Sequence, residues 1–82
     1  MTEGVTRARL KFSASEQPTV VCFEPLGADY PLAAGEALFV DVSATDLAEI
    51  EVAIWPTGVS VWLPYPDDHV VLDERGTEIG RL

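Results

Sequence analysis

The stretch Glu49–Pro64, EIEVAIWPTGVSVWLP, alternates with period two on both sides of a short turn-forming segment. Ile50, Val52 and Ile54 alternate with Glu49, Glu51 and Ala53; after the turn, Val59, Val61 and Leu63 alternate with Ser60 and Trp62. Successive side chains of a strand point to opposite sides, so two strands gather all six aliphatic residues on one face. β-Branched residues suit that pleated face, and Pro56 and Gly58 are the turn-formers between the runs. The pattern predicts a hairpin at the centre of a β fold.

Two signals disagree over its register. Pro56-Thr57-Gly58 suits a type I turn followed by Gly58 at positive φ in a G1 bulge, which pairs Trp55 with Val59. The alternation instead asks for Ile54 opposite Val59 or Val61, because a one-residue slip would send half of the aliphatic residues to the other face. The alternation is the stronger constraint, so a four-residue loop or a compensating bulge is expected. Val52 and Val61 are both expected in the core, and Gly58 at positive φ.

The rest of the chain reads as further short strands. Val5 to Phe12 places Thr6, Ala8, Leu10 and Phe12 on one side and Arg7, Arg9 and Lys11 on the other, a charged strand of the kind found at sheet edges. Ser13 to Pro18 is a loop, and Thr19 to Glu24 a near-continuous apolar run that suits a central strand. Pro25 to Pro31, with two prolines and a glycine, reads as a second loop that Tyr30 orders by packing inward. Ala37 to Val42 forms a strand with Leu38, Val40 and Val42 on one face. Asp46 and Glu49 then suit the capping of a single helical turn. His69 to Leu72 is a short strand, and the turn Asp73 to Thr77 leads to Glu78, Ile79, Arg81 and Leu82. Six or seven short strands with regular turn signals and no long helix predict an all-β single domain over residues 1–82. Its architecture is expected to be an antiparallel β-barrel or a two-sheet sandwich.

Charge sets the classes of partner. The chain has fourteen acids and five bases, a net charge of −9, yet 48% of its residues are hydrophobic, which argues for a folded domain rather than disorder. Between Lys11 and Arg75 there are twelve acids and no base. Affinity for a phosphate backbone comes largely from Lys and Arg, so direct binding of nucleic acid is not expected. Inverted, the same argument allows a nucleic-acid-mimicking inhibitor whose carboxylates occupy a basic groove on another protein. Lone Cys22 cannot form an intrachain disulfide, and no N-terminal run is apolar enough for a signal h-region or a membrane span. A cytoplasmic protein that does not enter a membrane is expected.

Candidate chemistry is sparse. One Cys and one His, far apart, cannot supply a zinc ligand set. His69 lies beside Asp67 and Asp68, either of which would orient a general base, but no nucleophile is tied to it by a motif; it reads as a strand-end histidine in polar surroundings. Asp41, Ser43 and Thr45, with Asp46 adjacent, gather oxygen ligands of the kind a hard cation takes, yet the spacing lacks the glycine and closing glutamate of a helix-loop-helix calcium loop, so turn capping is the expected role. Cys22, between Val21 and Phe23, reads as a buried small hydrophobe, because nothing nearby lowers its pKa. No enzyme activity, cofactor or metal is expected.

Trp55 and Trp62 carry the functional expectation. The alternation points both to the hairpin's second face, with Glu49, Glu51, Ala53 and Ser60. Tryptophan is costly to leave in water, so cover by another strand is the ordinary outcome for such a pair. Left uncovered, the pair forms a partner-binding patch, and an acidic, aromatic surface suits a basic protein. The expected function is a small acidic interaction module that binds a basic protein surface through Trp55, Trp62, Glu49, Glu51 and Tyr65. Stacking of a ligand or carbohydrate on Trp55, Trp62 and Tyr65 is the alternative, and an uncovered edge or tryptophan face would also let the domain form a homo-oligomer.

Overall fold

A computed structural model describes residues 6–64 and 68–82. The elements are β1 (Arg7–Ser13), β2 (Thr19–Glu24), β3 (Ala28–Leu32), β4 (Ala37–Ser43), a 3-10 helix (Ala44–Glu49), β5 (Glu51–Trp55), β6 (Gly58–Trp62), β7 (Val70–Leu72) and β8 (Glu78–Arg81). Sheet I has the strand order β1-β4-β7-β8 and sheet II the order β3-β2-β6-β5. Both pack their inner faces on one core, so the all-β domain is the two-sheet sandwich among the expected forms, and its sheets do not close into a barrel.

The core follows from the alternation. In sheet I, Ala8, Leu10 and Phe12 stand opposite Val42, Val40 and Leu38, and Val71 stands opposite Val40. In sheet II, Val21 and Phe23 lie beside Val59 and Val61. Phe23 locks the layers together. Its ring meets Phe12 of sheet I edge-on at 6.1 Å between centroids and Tyr30 of β3 at 5.7 Å. Edge-to-face pairs of this kind stabilise by about 0.5–1.5 kcal/mol beyond their area burial.

Two strand assignments differ from expectation. β3 runs through Asp29, Tyr30 and Pro31, which the prolines mark as loop in the sequence. Pro31 is tolerated because β3 is an edge strand, where a missing N–H need not break a ladder. The count is therefore eight strands rather than six or seven. In addition, β2 and β6 pair in parallel, with Val20 beside Gly58, Cys22 beside Ser60 and Glu24 beside Trp62, so sheet II is mixed. β1, as expected, is an edge strand, and β2 is central. Val5, expected to begin the first strand, lies outside the described residues.

The central hairpin keeps the register that the alternation demands, with Val52 opposite Val61 and Ile54 opposite Val59. Its loop is neither four residues nor a bulge. Trp55 pairs directly with Gly58 across the two-residue loop Pro56-Thr57. Gly58 does not hold positive φ; among the described residues only Gly27, Gly35 and Gly76 do. Glycine is required there for a different reason, since a Cβ would strike the backbone carbonyl of Val20 on the adjacent parallel strand.

The hairpin's aliphatic face is only half covered. Val61 is fully buried, but Val52 is 46% exposed and Ile54 83% exposed. The expectation that Val52 belongs to the core is corrected accordingly, because an open groove, lined also by Leu10 and Phe12 of β1 and by Leu47 and Ile50, lies over it. The opposite side of the sandwich is closed by Tyr30 of β3, whose hydroxyl occupies the space a side chain at Gly80 of β8 would need. At the other helical boundary, Ser43 rather than Asp46 is the residue preceding the 3-10 helix; its hydroxyl bonds Thr45 Oγ1 at 2.9 Å and caps no helix N–H.

Candidate functional site

The outer face of sheet II is the surface on which the tryptophans lie. Alternation within each strand and register between strands fix its rows. Pro31, Val20, Gly58 and Trp55 form one row; Asp29, Cys22, Ser60 and Ala53 the next; Glu24, Trp62 and Glu51 the third. Side chains adjacent in register sit about 5 Å apart at Cβ. Trp62 is therefore flanked on both sides by carboxylates, Glu24 from β2 and Glu51 from β5.

Among the described residues no further layer covers this face. Trp55 is 59% exposed and Trp62 46% exposed. Trp55 is nevertheless held in place, because its indole Nε1 donates to Ser60 Oγ at 2.9 Å across the hairpin. Gly58, between Trp55 and Val20 in its row, contributes no side chain to the face. Val20, 39% exposed, extends the apolar part of the surface beyond it.

Glu51 shares the face with both indoles, whereas Glu49 is exposed at the end of the 3-10 helix, just before β5 begins. Tyr65 lies outside the described residues. Glu24 was not among the residues singled out from the sequence. Nothing in a single strand's pattern announces which strand will pair in parallel with β6, and that pairing alone brings Glu24 to Trp62.

All five cations belong to sheet I or to its β7–β8 turn, so the strands of sheet II carry none. On sheet I the cations are engaged. Arg9 donates from Nε to Asp41 Oδ1 at 2.7 Å and from Nη2 to Oδ2 at 3.0 Å, and it lies over the Phe39 ring at 5.5 Å with Lys11 at 5.8 Å. Arg81 bonds both Glu78 and Asp68. Asp41 is thus committed to Arg9, and its carboxyl is held below the ordinary range by that hydrogen bond, against the opposing effect of burial.

Cys22 is half-buried on the outer face rather than in the core. Its thiol is pushed up to about 12, first by its interaction with Asp29, then by burial and by the charges of Asp29 and Glu24, whose Oε2 accepts from Sγ at 3.6 Å. A thiol so protonated is a poor nucleophile at neutral pH. It serves as a small side chain in the middle row.

His69 is 2% exposed, which corrects the expectation of polar surroundings. It sits among Phe23, Leu63, Pro64 and Leu82, and its Nε2 donates to the Pro64 carbonyl at 2.8 Å. Asp68, offered by the sequence as an orienting carboxylate, accepts from Arg81 instead, and Asp67 lies outside the described residues. The described residues bring no three His, Cys, Asp or Glu side chains into an arrangement that would hold a metal ion. No helix among them is long and apolar enough to cross a membrane. Comparison with protein-family models, with curated proteins and with solved structures returns no significant match.

Proposed function

We propose that this protein is a non-catalytic interaction module, and that the outer face of sheet II binds a basic surface on another protein. The observation that carries the reading is the row Glu24, Trp62, Glu51: a half-exposed indole between two carboxylates, on a sheet without a cation. A lysine or arginine of the partner lying over the Trp62 ring gains a cation–π interaction of about 0.5–2 kcal/mol and meets a carboxylate on either side. Trp55, held by Ser60, offers a second aromatic platform whose orientation is already fixed, so little side-chain freedom is lost on binding.

The two parts of the surface have separate roles. Carboxylates raise the rate of encounter with a positive partner, and their influence fades with salt. The indoles hold the complex once formed. A carbohydrate stacked on Trp55 and Trp62 would use the same rings, but neither its encounter rate nor its affinity would depend on Glu24 and Glu51 through salt.

Affinity capture with immobilised protein at low and high salt, run beside Trp62→Ala and beside a Glu24→Gln, Glu51→Gln double variant, tests the proposal. Basic proteins retained by the wild type at low salt, released at high salt and lost from both variants support it. Retention of a neutral glycan or glycoprotein that is indifferent to salt and to the double variant would replace it with the carbohydrate reading.

A further inference from the structure

Resting on that reading, we infer that the partner engages β5 by strand addition: an extended cationic segment pairs with the free edge of β5 and becomes the fifth strand of sheet II. A two-sheet sandwich has four edges, each a row of unpaired backbone groups that natural proteins protect. β1 is protected by Arg7, Arg9 and Lys11, and β3 by Pro31, which offers no N–H. β8 is four residues long, carries Glu78 and Arg81, and meets β7 through a register irregularity. β5, Glu51–Trp55, carries one charge, at its first residue, with no cation, no proline and a regular register to β6.

Backbone geometry supplies the pairing groups. In an antiparallel ladder alternate residues exchange both hydrogen bonds. The two-residue loop makes Trp55 and Gly58 such a pair, and with them Ala53–Ser60 and Glu51–Trp62. The N–H and C=O groups of Val52 and Ile54 therefore point away from β6, into solvent.

Side chains on both surfaces of β5 specify what the added strand must carry. On the inner surface, exposed Val52 lines a groove of about 270 Å³ together with Leu10, Lys11, Phe12, Leu47 and Ile50, and exposed Ile54 follows Val52 on the same face of β5. Apolar residues at alternate positions of the incoming strand fill that opening. On the outer surface its intervening residues fall beside Glu51 and Trp55, in rows that contain no cation, so lysine or arginine belongs there. The occupant is an alternating cationic and apolar segment of about five residues, the length of β5. In a second copy of this chain β1 carries that alternation, but its cations are engaged on its own sheet: Arg7 donates to the Asp41 and Asp68 carbonyls, Arg9 pairs with Asp41, and Lys11 lies over Phe39, so a second copy fits less well than a segment with free cations.

The test uses two synthetic peptides of one composition. In the first, four lysines alternate with valine, isoleucine and valine; in the second, the lysines and the aliphatics stand in separate blocks. Tryptophan fluorescence titrations at low salt are expected to show the alternating peptide binding at least about tenfold more tightly, because main-chain bonds give affinity and alternate side chains give specificity in this mode. Its binding is expected to slow amide exchange at Val52 and Ile54. Ile54→Pro, which removes one outward N–H and no β5–β6 bond, is expected to abolish the preference between peptides.

Equal binding of both peptides, with no added protection at Val52 and Ile54 but with weakening by Trp62→Ala and Glu51→Gln, would overturn strand addition and leave side-chain docking on the outer face standing. Binding of neither peptide would overturn both. Dimerisation of the protein alone, with the same two amides protected, would overturn the inference by placing a second copy on the edge. Because amide protection is read on the wild-type protein, the test does not depend on Ile54→Pro folding.

Discussion

Sheets I and II present outer faces made by similar strands, yet one face is internally satisfied and the other is not. On sheet I, Arg9 meets Asp41, Arg81 meets Asp68 and Glu78, and Phe39 lies beneath Arg9 and Lys11. On sheet II, Glu24, Asp29 and Glu51 share their face with Trp55 and Trp62, and the strands supply no cation at all. Both arrangements are stable because stability comes from the shared core beneath them. What differs is what each face still lacks: sheet II has carboxylates without counter-charge and indoles without cover, the two features a basic partner supplies together.

The largest effect that separates the sheets concerns their glycines. Gly58→Ala drives a Cβ into the Val20 carbonyl, a backbone group that cannot move without disturbing the β2–β6 ladder. A loss of about 3 kcal/mol is expected, at the upper end of ordinary overpacking costs. Gly80→Ala in sheet I meets the hydroxyl end of a side chain, Tyr30, rather than backbone, so a smaller loss is expected. Denaturant melts of the two variants check this, and equal losses would mean that the parallel strands separate easily.

Next is a comparison within one cross-strand pair. Val61→Ala removes two methyl groups from a fully buried site and is expected to cost about 2 kcal/mol. Val52→Ala, directly opposite but 46% exposed, is expected to cost less than about 1 kcal/mol. Thermal melts giving the same loss at both positions would show that β5 is covered in solution, as a self-associated edge would be.

Much of this was legible in the sequence, and the boundary is physical. Period two places Val52 with Val61 and Trp55 with Trp62, because register follows from which side chains must share a face. It says nothing about how far the opposing sheet extends, so the exposure of Val52 and Ile54 was not readable. β3 was hidden because Pro31 is a breaker in a central strand and harmless on an edge. Glu24 was hidden because its place beside Trp62 depends on a parallel pairing between strands more than thirty residues apart in the chain. The charge asymmetry was plain in the sequence, but its assignment to one sheet required the topology.

The tryptophan face gives the next prediction, since it separates stability from binding. Trp62→Ala truncates a side chain that is half in water, so the native fold should survive it, while affinity for a basic partner is expected to fall by about 2 kcal/mol if Trp62 anchors the complex. Glu24→Gln with Glu51→Gln is expected to slow association and flatten its salt dependence with little change in dissociation. Surface plasmon resonance against a captured partner across a salt series distinguishes the two. A double variant that changes only the dissociation rate would mean that the carboxylates act through contact alone and do not steer the encounter.

The smallest effect is expected from the ion pair that makes sheet I self-sufficient. Asp41 has its pKa lowered chiefly by the hydrogen bond from Arg9. A carboxyl whose folded pKa lies below its unfolded value of about 4 contributes stability above that value and loses the contribution as pH falls through the folded pKa. Asp41→Asn should therefore lower the melting temperature slightly at neutral pH, and the difference from wild type should shrink as the solution is acidified below pH 4. Arg9 is half exposed, so added salt should shrink the difference as well. Glu51→Gln is the matched control on sheet II: it breaks no ion pair among the described residues and removes one negative charge from a chain at −9, so its melting temperature at low salt should stay level or rise. A fall on Glu51→Gln as large as that on Asp41→Asn would mean that Glu51 already has a partner within the chain, and sheet II would then have no unsatisfied carboxylate to offer at its edge.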